Sequence, residues 1–534
     1  MLLLLFISLF FFVESKIKGI NLGSYFVLEP YINPSLFYQF IGLNTDVVGD
    51  SYMFCKYLGP AEANKQLNTH WESWITFEKL AKVKEYGINT LRIPVSDWMF
   101  IPYDVYDLEQ DNTKCYDNSL YYLDKLFDYA DQLDLNILLD IHAVKDSQNG
   151  FDNSGLSKNI VTQKHNNIIY FDHWNHRSAE WIGNFDIQSK NYTSINYNNI
   201  EFTLRVIDEI LDKYKNRKSF WALEPINEPW EYTPLDELKK FYKKVYDMLL
   251  RKNLKDKKLI FHDSFRPDKW KNAYFLEKNG IPKIKIYLDT HQYMAWGKPI
   301  PFNDYIKGAE KWKQPYSVFD IIVGEFSLAT DNCIMWLNGF MDNYPGFPLQ
   351  ECFVEDCPHK DKYLSQINRV RYGPFGTGYS YPTPDGECPT TIPIYLNKNI
   401  TLNNEWVKDS ENYDVTDREK YYARKLFLEL IGSFEKNSSG WIFWNFDTES
   451  STYQWSFLKL IDKNYIYPND LDEKYNYLIY LTVSIIFIFI ILIIILINKY
   501  NYTYYCYPNY QEYIYTPVSS MLSSRRGYYG SINV

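Results

Sequence analysis

Eight short apolar, β-branched runs recur along this chain. They are residues 17–22 (IKGINL), 88–95 (INTLRIPV), 135–142 (LNILLDIH), 220–227 (FWALEPIN), 258–264 (KLIFHDS), 283–293 (KIKIYLDTHQY), 320–328 (DIIVGEFSL) and 440–446 (GWIFWNF). Between them lie stretches with apolar residues at three- and four-residue spacing, the pattern of helices with one buried face. These cover 71–87, 121–134, 202–215, 236–253 and 418–435, and 455–468 reads as a closing helix. Strands alternating with helices over about 450 residues predict an α/β fold, a (β/α)8 TIM barrel with long βα-loop insertions. An open doubly wound sheet would want a Gly-rich phosphate loop after its first strand. GINLGSY lacks the G-x-G-x-x-G spacing, so the barrel is preferred.

The 534 residues carry 46% apolar and 23% charged side chains, enough for one large core. A net charge of −10 with no basic stripe disfavours nucleic acid as a partner and suits a neutral substrate. Two further apolar runs lie outside the barrel pattern. Leu2 to Val13 is too short to span a bilayer and reads as a secretory signal, residues 1–15. Leu478 to Ile497 is uncharged and close to the roughly 20 residues of a spanning helix. A buried core helix would rarely lack a polar face over such a length. Asn498, Lys499, Arg525 and Arg526 follow it, which places the tail in the cytosol.

The expected organisation is a signal (1–15), a barrel (16–468), a short linker (469–477), one C-terminal transmembrane helix (478–497) and a disordered cytoplasmic tail (498–534). This is a single-pass, type I membrane protein of the secretory pathway, with a monomeric body on the cell surface or another outward-facing membrane. Six of seven cysteines (Cys55, Cys115, Cys333, Cys352, Cys357 and Cys388) precede the span. An even set in an oxidising compartment allows three disulfides, whose pairing the sequence leaves open. A zinc site built on Cys352, Cys357, Cys388 and His359 is the weaker alternative. Cys506 beyond the span is a palmitoylation site or a free thiol. Asn191, Asn399 and Asn437 sit in N-x-S/T sequons on the outer side.

Two of the strand-like runs end in a glutamate, Glu228 in NEP and Glu325 in GEF. A carboxylate where a buried strand emerges is costly unless chemistry requires it. Two on separate strands are the minimum equipment for cleaving a glycosidic bond. The C-terminal strand ends of a barrel form its active face. They supply Arg92, His142, Asn227 with Glu228, His291 with Tyr293, Glu325, and Trp444.

This set resembles glycoside hydrolase family 5. The strings KGINLGSYFVLEPY, GINTLRIPVSDWMF, DIHAVKDSQNGFDNSG, INEPW, DTHQYMAW, GEFSLA and GWIFWNFDTES resemble its exo-β-1,3-glucanase branch over roughly residues 17–468. The resemblance implies Glu228 as general acid/base, with a pKa raised by an apolar setting and the neighbouring carboxylate. It implies Glu325 as an ionised nucleophile supported by Arg92, with Tyr293 hydrogen-bonded to it and Asn227 on the sugar 2-hydroxyl. His142 and His291 would order the sugar and the acid/base, and Trp444 would form the stacking floor. Glu29 and Tyr31 would grip a terminal glucose beside Asp152. Phe151 and Trp296, the latter replacing the usual Phe, would clamp the pocket mouth. No metal and no organic cofactor is implied. Ser24-Tyr25, Ala143 to Asp146 and Phe326 depart from the family's strings around the subsites. The expected reaction is retaining release of glucose from the non-reducing ends of β-1,3-glucan. The alternatives are a β-glucosidase for another linkage or a glycolipid, and a catalytically silent carbohydrate-binding protein on the same scaffold.

Overall fold

The computed structural model describes residues 16–37, 48–102, 114–158, 161–165, 168–172, 178–272, 274–296, 300, 302–314, 318–330, 337, 339–341, 417–449, 453–471, 490, 491 and 493–497. All eight anticipated strands are present: β1 (Ile17–Asn21), β2 (Thr90–Ser96), β3 (Asn136–Ala143), β4 (Phe220–Glu224), β5 (Lys258–His262), β6 (Ile286–Gln292), β7 (Asp320–Phe326) and β8 (Gly440–Phe443). Every pairing between them is parallel, and β1 joins both β2 and β8 to close the barrel in sequence order. Helices Phe77–Glu85, Ser119–Leu133, Tyr197–Tyr214, Leu235–Arg251, Phe302–Lys311 and Asp417–Asn437 pack around it.

Two features differ from the sequence expectation. The stretch 71–87 is not one helix. A helix spanning Ser51–Ser73 ends inside it, and Thr76 caps a new one by accepting the Lys79 amide at 3.3 Å. A hydroxyl at that position satisfies an amide that the first turn would otherwise leave unpaired. The periodicity of helix Ser51–Ser73 is hidden because Gly59-Pro60 interrupts it, and Gly59 is non-helical with φ of 73°. The second difference is a three-stranded sheet of Val161–His165, Ile168–Asp172 and Gly339–Met341, two of its strands in the insertion after β3 and one after β7.

The interior of the barrel is layered by the period-two geometry of strands. Ile17, Leu138, Ala222, Ile260, Tyr287, Ile322 and Ile442 form one apolar plug, a residue from each of seven strands. Two residues further along the same strands stand Asp140, Glu224, His262, Asp289, Gly324 and Trp444. The polar layer therefore starts directly above the plug and leads to the C-terminal face.

Cys55 and Cys115 form a disulfide across 60 residues of chain. Closing a loop of that length corresponds to about 4 kcal/mol of denatured-state entropy at 25 °C. The other four outer cysteines, residues 1–15, Asn399, the tail and most of 478–497 lie outside the described residues. Among the described residues no helix is long and apolar enough to cross a membrane. Residues 490, 491 and 493–497 are helical and exposed. Asn191 is exposed, whereas the Asn437 amide donates to the carbonyls of Trp312 at 3.0 Å and Ser433 at 2.9 Å.

Candidate active site

Arg92 is the hub of the site. It is fully buried on β2, where a cation survives only with partners on every donor. Nε donates to Glu224 at 2.9 Å, Nη1 to Asn21 and to Glu325, both at 2.8 Å, and Nη2 to Asn227 at 2.8 Å. Asp140 lies 3.1 Å from Nη2. The planar guanidinium fork thereby ties β1, β2, β3, β4 and β7 together and fixes one oxygen of Glu325.

Glu325 sits near the end of β7, and its other oxygen accepts the Tyr293 hydroxyl at 2.7 Å. Glu228 is not at the end of its strand: β4 stops at Glu224, and Glu228 lies in the following loop with φ of 43°. A left-handed backbone at a residue other than glycine costs of order 1–3 kcal/mol and persists only where surrounding structure holds it. His291 supplies part of that hold. Its Nδ1 is 2.6 Å from Glu228 Oε1, and Asn153 donates to Oε2 at 3.2 Å. The same Nδ1 is 3.3 Å from Glu325 Oε2. The two carboxylate oxygens that share it are therefore at most 5.9 Å apart.

An open pocket lies over these carboxylates, with about 570 Å³ of empty space that includes the solvent at its mouth. Nine of the thirteen expected site residues line it: Glu29, Tyr31, Phe151, Asp152, Glu228, Tyr293, Trp296, Glu325 and Trp444. The Glu29 carboxyl is buried, and its Oε1 has no hydrogen-bond partner among the described residues. Burial drives the Glu29 carboxyl well above the ordinary glutamate pKa, and a buried polar atom left unpaired beside a pocket suits a ligand hydroxyl. The Trp444 indole N–H donates to the Tyr31 hydroxyl, and the Trp444–Asn445 peptide is cis.

The other four, Arg92, His142, Asn227 and His291, are not pocket-lining. His142 stacks on Trp444 with ring centroids 5.6 Å apart and planes at 12°, and its Nδ1 lies 2.5 Å from Asp140. Asn227 Nδ2 is 3.3 Å from His142 Nε2. In this arrangement His142 and Asn227 brace the floor and the Arg92 hub, behind the wall that a sugar would touch.

Three pocket residues escaped the sequence reading: Asn153, Leu337 and Trp455. Trp455 packs against Tyr31, Tyr293 and Trp296 with centroids 5.6, 5.7 and 6.3 Å away. Also missed were the buried Asp140, Glu224, His262 and Asp289. Their signal was available, since Asp140 and Asp289 each stand two residues before a chosen histidine and so share its strand face.

The electrostatics correct one expectation. Burial raises the Glu228 pKa, but the hydrogen bond and charge of His291 outweigh it and hold the carboxyl below the ordinary glutamate value. Burial also raises Glu325, and there His291 and Arg92 offset it only in part, so its pKa stays above the ordinary value. His291 is the reason for both. Burial alone would lower its pKa, but Glu325, Asp289 and Glu228 drive it well above 6.5. The cation between the two carboxylates was invisible to a reading that saw them only as neighbours. Glu228, His262 and His291 cluster tightly, as do Glu224, Asp289 and His291, each group with candidate ligand atoms within 4.8 Å. His291 Nδ1 already faces Glu228 at 2.6 Å and Glu224 already accepts from Arg92, so these atoms form a hydrogen-bonded charge network.

The family model for cellulase (glycosyl hydrolase family 5) matches residues 59–332. Glucan 1,3-beta-glucosidase 2 of Candida albicans is 27% identical over 499 residues, covering 87% of this chain and 86% of the relative. Glucan 1,3-beta-glucosidase of Schwanniomyces occidentalis is 30% identical over 381 residues, covering 67% of this chain and 78% of the relative. Among solved structures, the rutinosidase of Aspergillus niger shares the fold with a TM-score of 0.51 at 17% identity, covering 85% of this chain and 98% of that one. With a closed barrel, paired carboxylates over one pocket and a family match across 274 of its 534 residues, the chain belongs to glycosyl hydrolase family 5 and is a glycoside hydrolase.

Proposed function

We propose that this enzyme is a retaining exo-β-1,3-glucanase that releases glucose from the non-reducing ends of β-1,3-glucan. The observation that carries the reading is the placement of Glu228 and Glu325 around one imidazole nitrogen at the base of an aromatic-walled pocket. A limit of 5.9 Å between the shared oxygens favours the close spacing of retaining enzymes, about 5–5.5 Å, over the roughly 6.5–9.5 Å of inverting ones. The linkage rests on relatives named glucan 1,3-beta-glucosidase.

In the first step Glu325 attacks the anomeric carbon while Glu228 gives a proton to the departing glycosidic oxygen. Arg92 and Tyr293 each hold one Glu325 oxygen, so the nucleophile is aimed before substrate arrives. In the second step Glu228 takes a proton from water, whose oxygen displaces Glu325 from the sugar. No step calls for a metal or an organic cofactor. The aromatic rings of Tyr31, Trp444 and Trp455 line the space a sugar would fill, and the carboxyl groups of Glu29 and Asp152 line it for contacts to sugar hydroxyls.

Purified protein incubated with laminarin and with β-1,4- and β-1,6-glucans, followed by NMR, tests the reading. β-Glucose appearing first, and from laminarin alone, supports it. α-Glucose as first product would overturn retention, and release from another glucan would overturn the linkage.

The membrane setting belongs to the same proposal. Leu2 to Val13 and Leu478 to Ile497 support entry into the secretory pathway, a single C-terminal anchor and an outward-facing catalytic body. The full chain should stay with membranes through an alkaline carbonate wash, and a chain ending at residue 477 should be released. Equal release of both would refute the anchor.

A further inference from the structure

Asp289 has no part in the roles assigned so far, yet it touches the supports of both catalytic carboxylates. It is fully buried on β6, two residues before His291. Its Oδ1 accepts the Gly324 amide at 2.7 Å, immediately before Glu325. Its Oδ2 lies 3.4 Å from His291 Nε2, and neither atom has a hydrogen-bond partner among the described residues. The glycine at 324 makes room for this side chain, since a Cβ there would fall 2.0 Å from Oδ2. Asp289, His291 and Glu228 thus form a carboxylate–imidazole–carboxylate line, and Glu228 also lines the pocket.

We propose that Asp289 is a positioning residue that keeps His291 a cation, so that the proton Glu228 must deliver is stored in the His291 Nδ1 to Glu228 Oε1 hydrogen bond. The inference rests on Glu228 being the acid/base. When the glycosidic bond breaks, this one proton passes from Nδ1 to Glu228 Oε1 and from there to the leaving oxygen, so Glu228 ends the step as a carboxylate. His291 is left neutral, with its remaining proton on Nε2 facing Asp289. The water that enters in the second step returns one proton to Glu228 and so to His291. One proton leaves with the alcohol and one arrives with water, and the pair ends as it began.

The other groups around the imidazole agree with a cation there. Glu325 faces Nδ1 at 3.3 Å, and Glu224 lies in the same cluster as Asp289. His262 meets the ring edge-on at 4.5 Å between centroids. Its Nδ1 accepts the Ser264 amide, and burial pulls its pKa well below 6.5, so it adds no competing charge. Asp263 lies within electrostatic reach on the β5 side. Arg92 and His142 stand beyond the carboxylates, with Arg92 paired to Glu224 and Glu325.

Asp289→Asn is the test, because an amide keeps an oxygen for the Gly324 N–H while turning a donor toward Nε2. His291 should then lose its extra proton at lower pH. The alkaline limb of kcat/KM on laminarin should move down by about one to two pH units, the range an opposite charge at this distance produces. On 2,4-dinitrophenyl β-glucoside, whose leaving group needs no proton, kcat/KM should change less than about threefold. An unmoved limb, or equal loss on both substrates, would overturn the proposal and leave Asp289 a packing residue. 15N-histidine NMR of the wild-type protein decides the matter if the variant does not fold, with the signal assigned by its loss in His291→Gln. His291 should carry protons on both nitrogens at pH 7, and a neutral ring there sinks the idea. A wild type that hydrolyses no glucoside would refute the functional reading instead, while the NMR result would still show whether the ring is held charged.

Discussion

Replacing Arg92 by Lys asks how much of the site depends on a guanidinium as opposed to a positive charge. The lysine keeps the charge but cannot meet Glu224, Asn21, Glu325, Asn227 and Asp140 from one plane. One of those contacts bears directly on the proposed reaction, the 2.8 Å bond to Glu325. A hydrogen bond to a charged group is worth about 1.5–3 kcal/mol, so losing it costs about 1.5–3 kcal/mol of transition-state stabilisation. At about 1.36 kcal/mol per decade, kcat/KM on laminarin should fall by about 10 to 10². The acidic limb of its pH profile should also move up. In the proposed mechanism Glu325 must be ionised to attack, Arg92 lowers its pKa, and a poorer partner leaves that pKa higher. Breaking buried ion pairs costs about 3–5 kcal/mol of stability. A unit ending at Leu471 melts with an entropy of about 1 kcal/mol per kelvin at about 2.1 cal/mol/K per residue, so the melting temperature should drop by about 3–5 °C. Kinetics from pH 4 to 9 and a melt of the same preparation suffice. A variant within about threefold of wild type, with an unmoved acidic limb, would refute the reading of Arg92 as the hub.

Gly324→Ala places a Cβ 2.0 Å from Asp289 Oδ2 and 2.3 Å from Oδ1. It should cost about 3 kcal/mol or more and lower the melting temperature by several degrees, and an unchanged melt would contradict the packing described. Trp455→Ala removes a buried ring from the pocket wall and should lose about 3–5 kcal/mol of stability, with KM raised more than kcat is lowered. Loss of kcat alone would argue against its role in holding the sugar. His70 is buried neutral with Nε2 2.8 Å from the Ser24 carbonyl, and burial lowers its pKa to about 4. Its folded value lies below the unfolded one, so about 3 kcal/mol of stability is present above pH 6.5 and is lost as the pH falls toward 4. His70→Gln should flatten the melting temperature across that window, and an equally steep wild-type and variant profile would show that other groups set it.

The barrel was readable because each strand carries its apolar residues in a short run bounded by a helix with a three-to-four period. Ile17, Leu138, Ile260, Ile322 and Ile442 each lie inside such a run, and all join the plug. The site was readable at the strand ends for the same topological reason. What escaped notice lies inside the runs. Asp140, Glu224 and Asp289 are single charges embedded among Leu and Ile, and a search for apolar runs passes over them. Their importance comes from inter-strand neighbours, and sequence spacing shows only which residues share a strand face. Trp455 was read as the start of a closing helix, whereas that helix is only Phe457–Asp462 and the tryptophan precedes it as part of the pocket.

The same reasoning explains why the charge states of the two glutamates could not be read from their proximity. Two nearby carboxylates repel, and if nothing stood between them the more apolar one would keep its proton. Here five buried carboxyl groups, Asp140, Glu224, Glu228, Asp289 and Glu325, surround Arg92 and His291, of which Arg92 is the permanent cation. Arg92 reaches Asp140, Glu224 and Glu325 but makes no contact with Glu228 or Asp289 among the described ion pairs. A buried negative charge without a partner is too costly to keep, so the second pair must acquire a proton. The imidazole between them, His291, is the group placed to take it. In the proposed mechanism the division of labour between the glutamates follows from the cation each one holds most closely. Glu325 leans on a guanidinium that never gives up a proton, and Glu228 leans on an imidazolium that can.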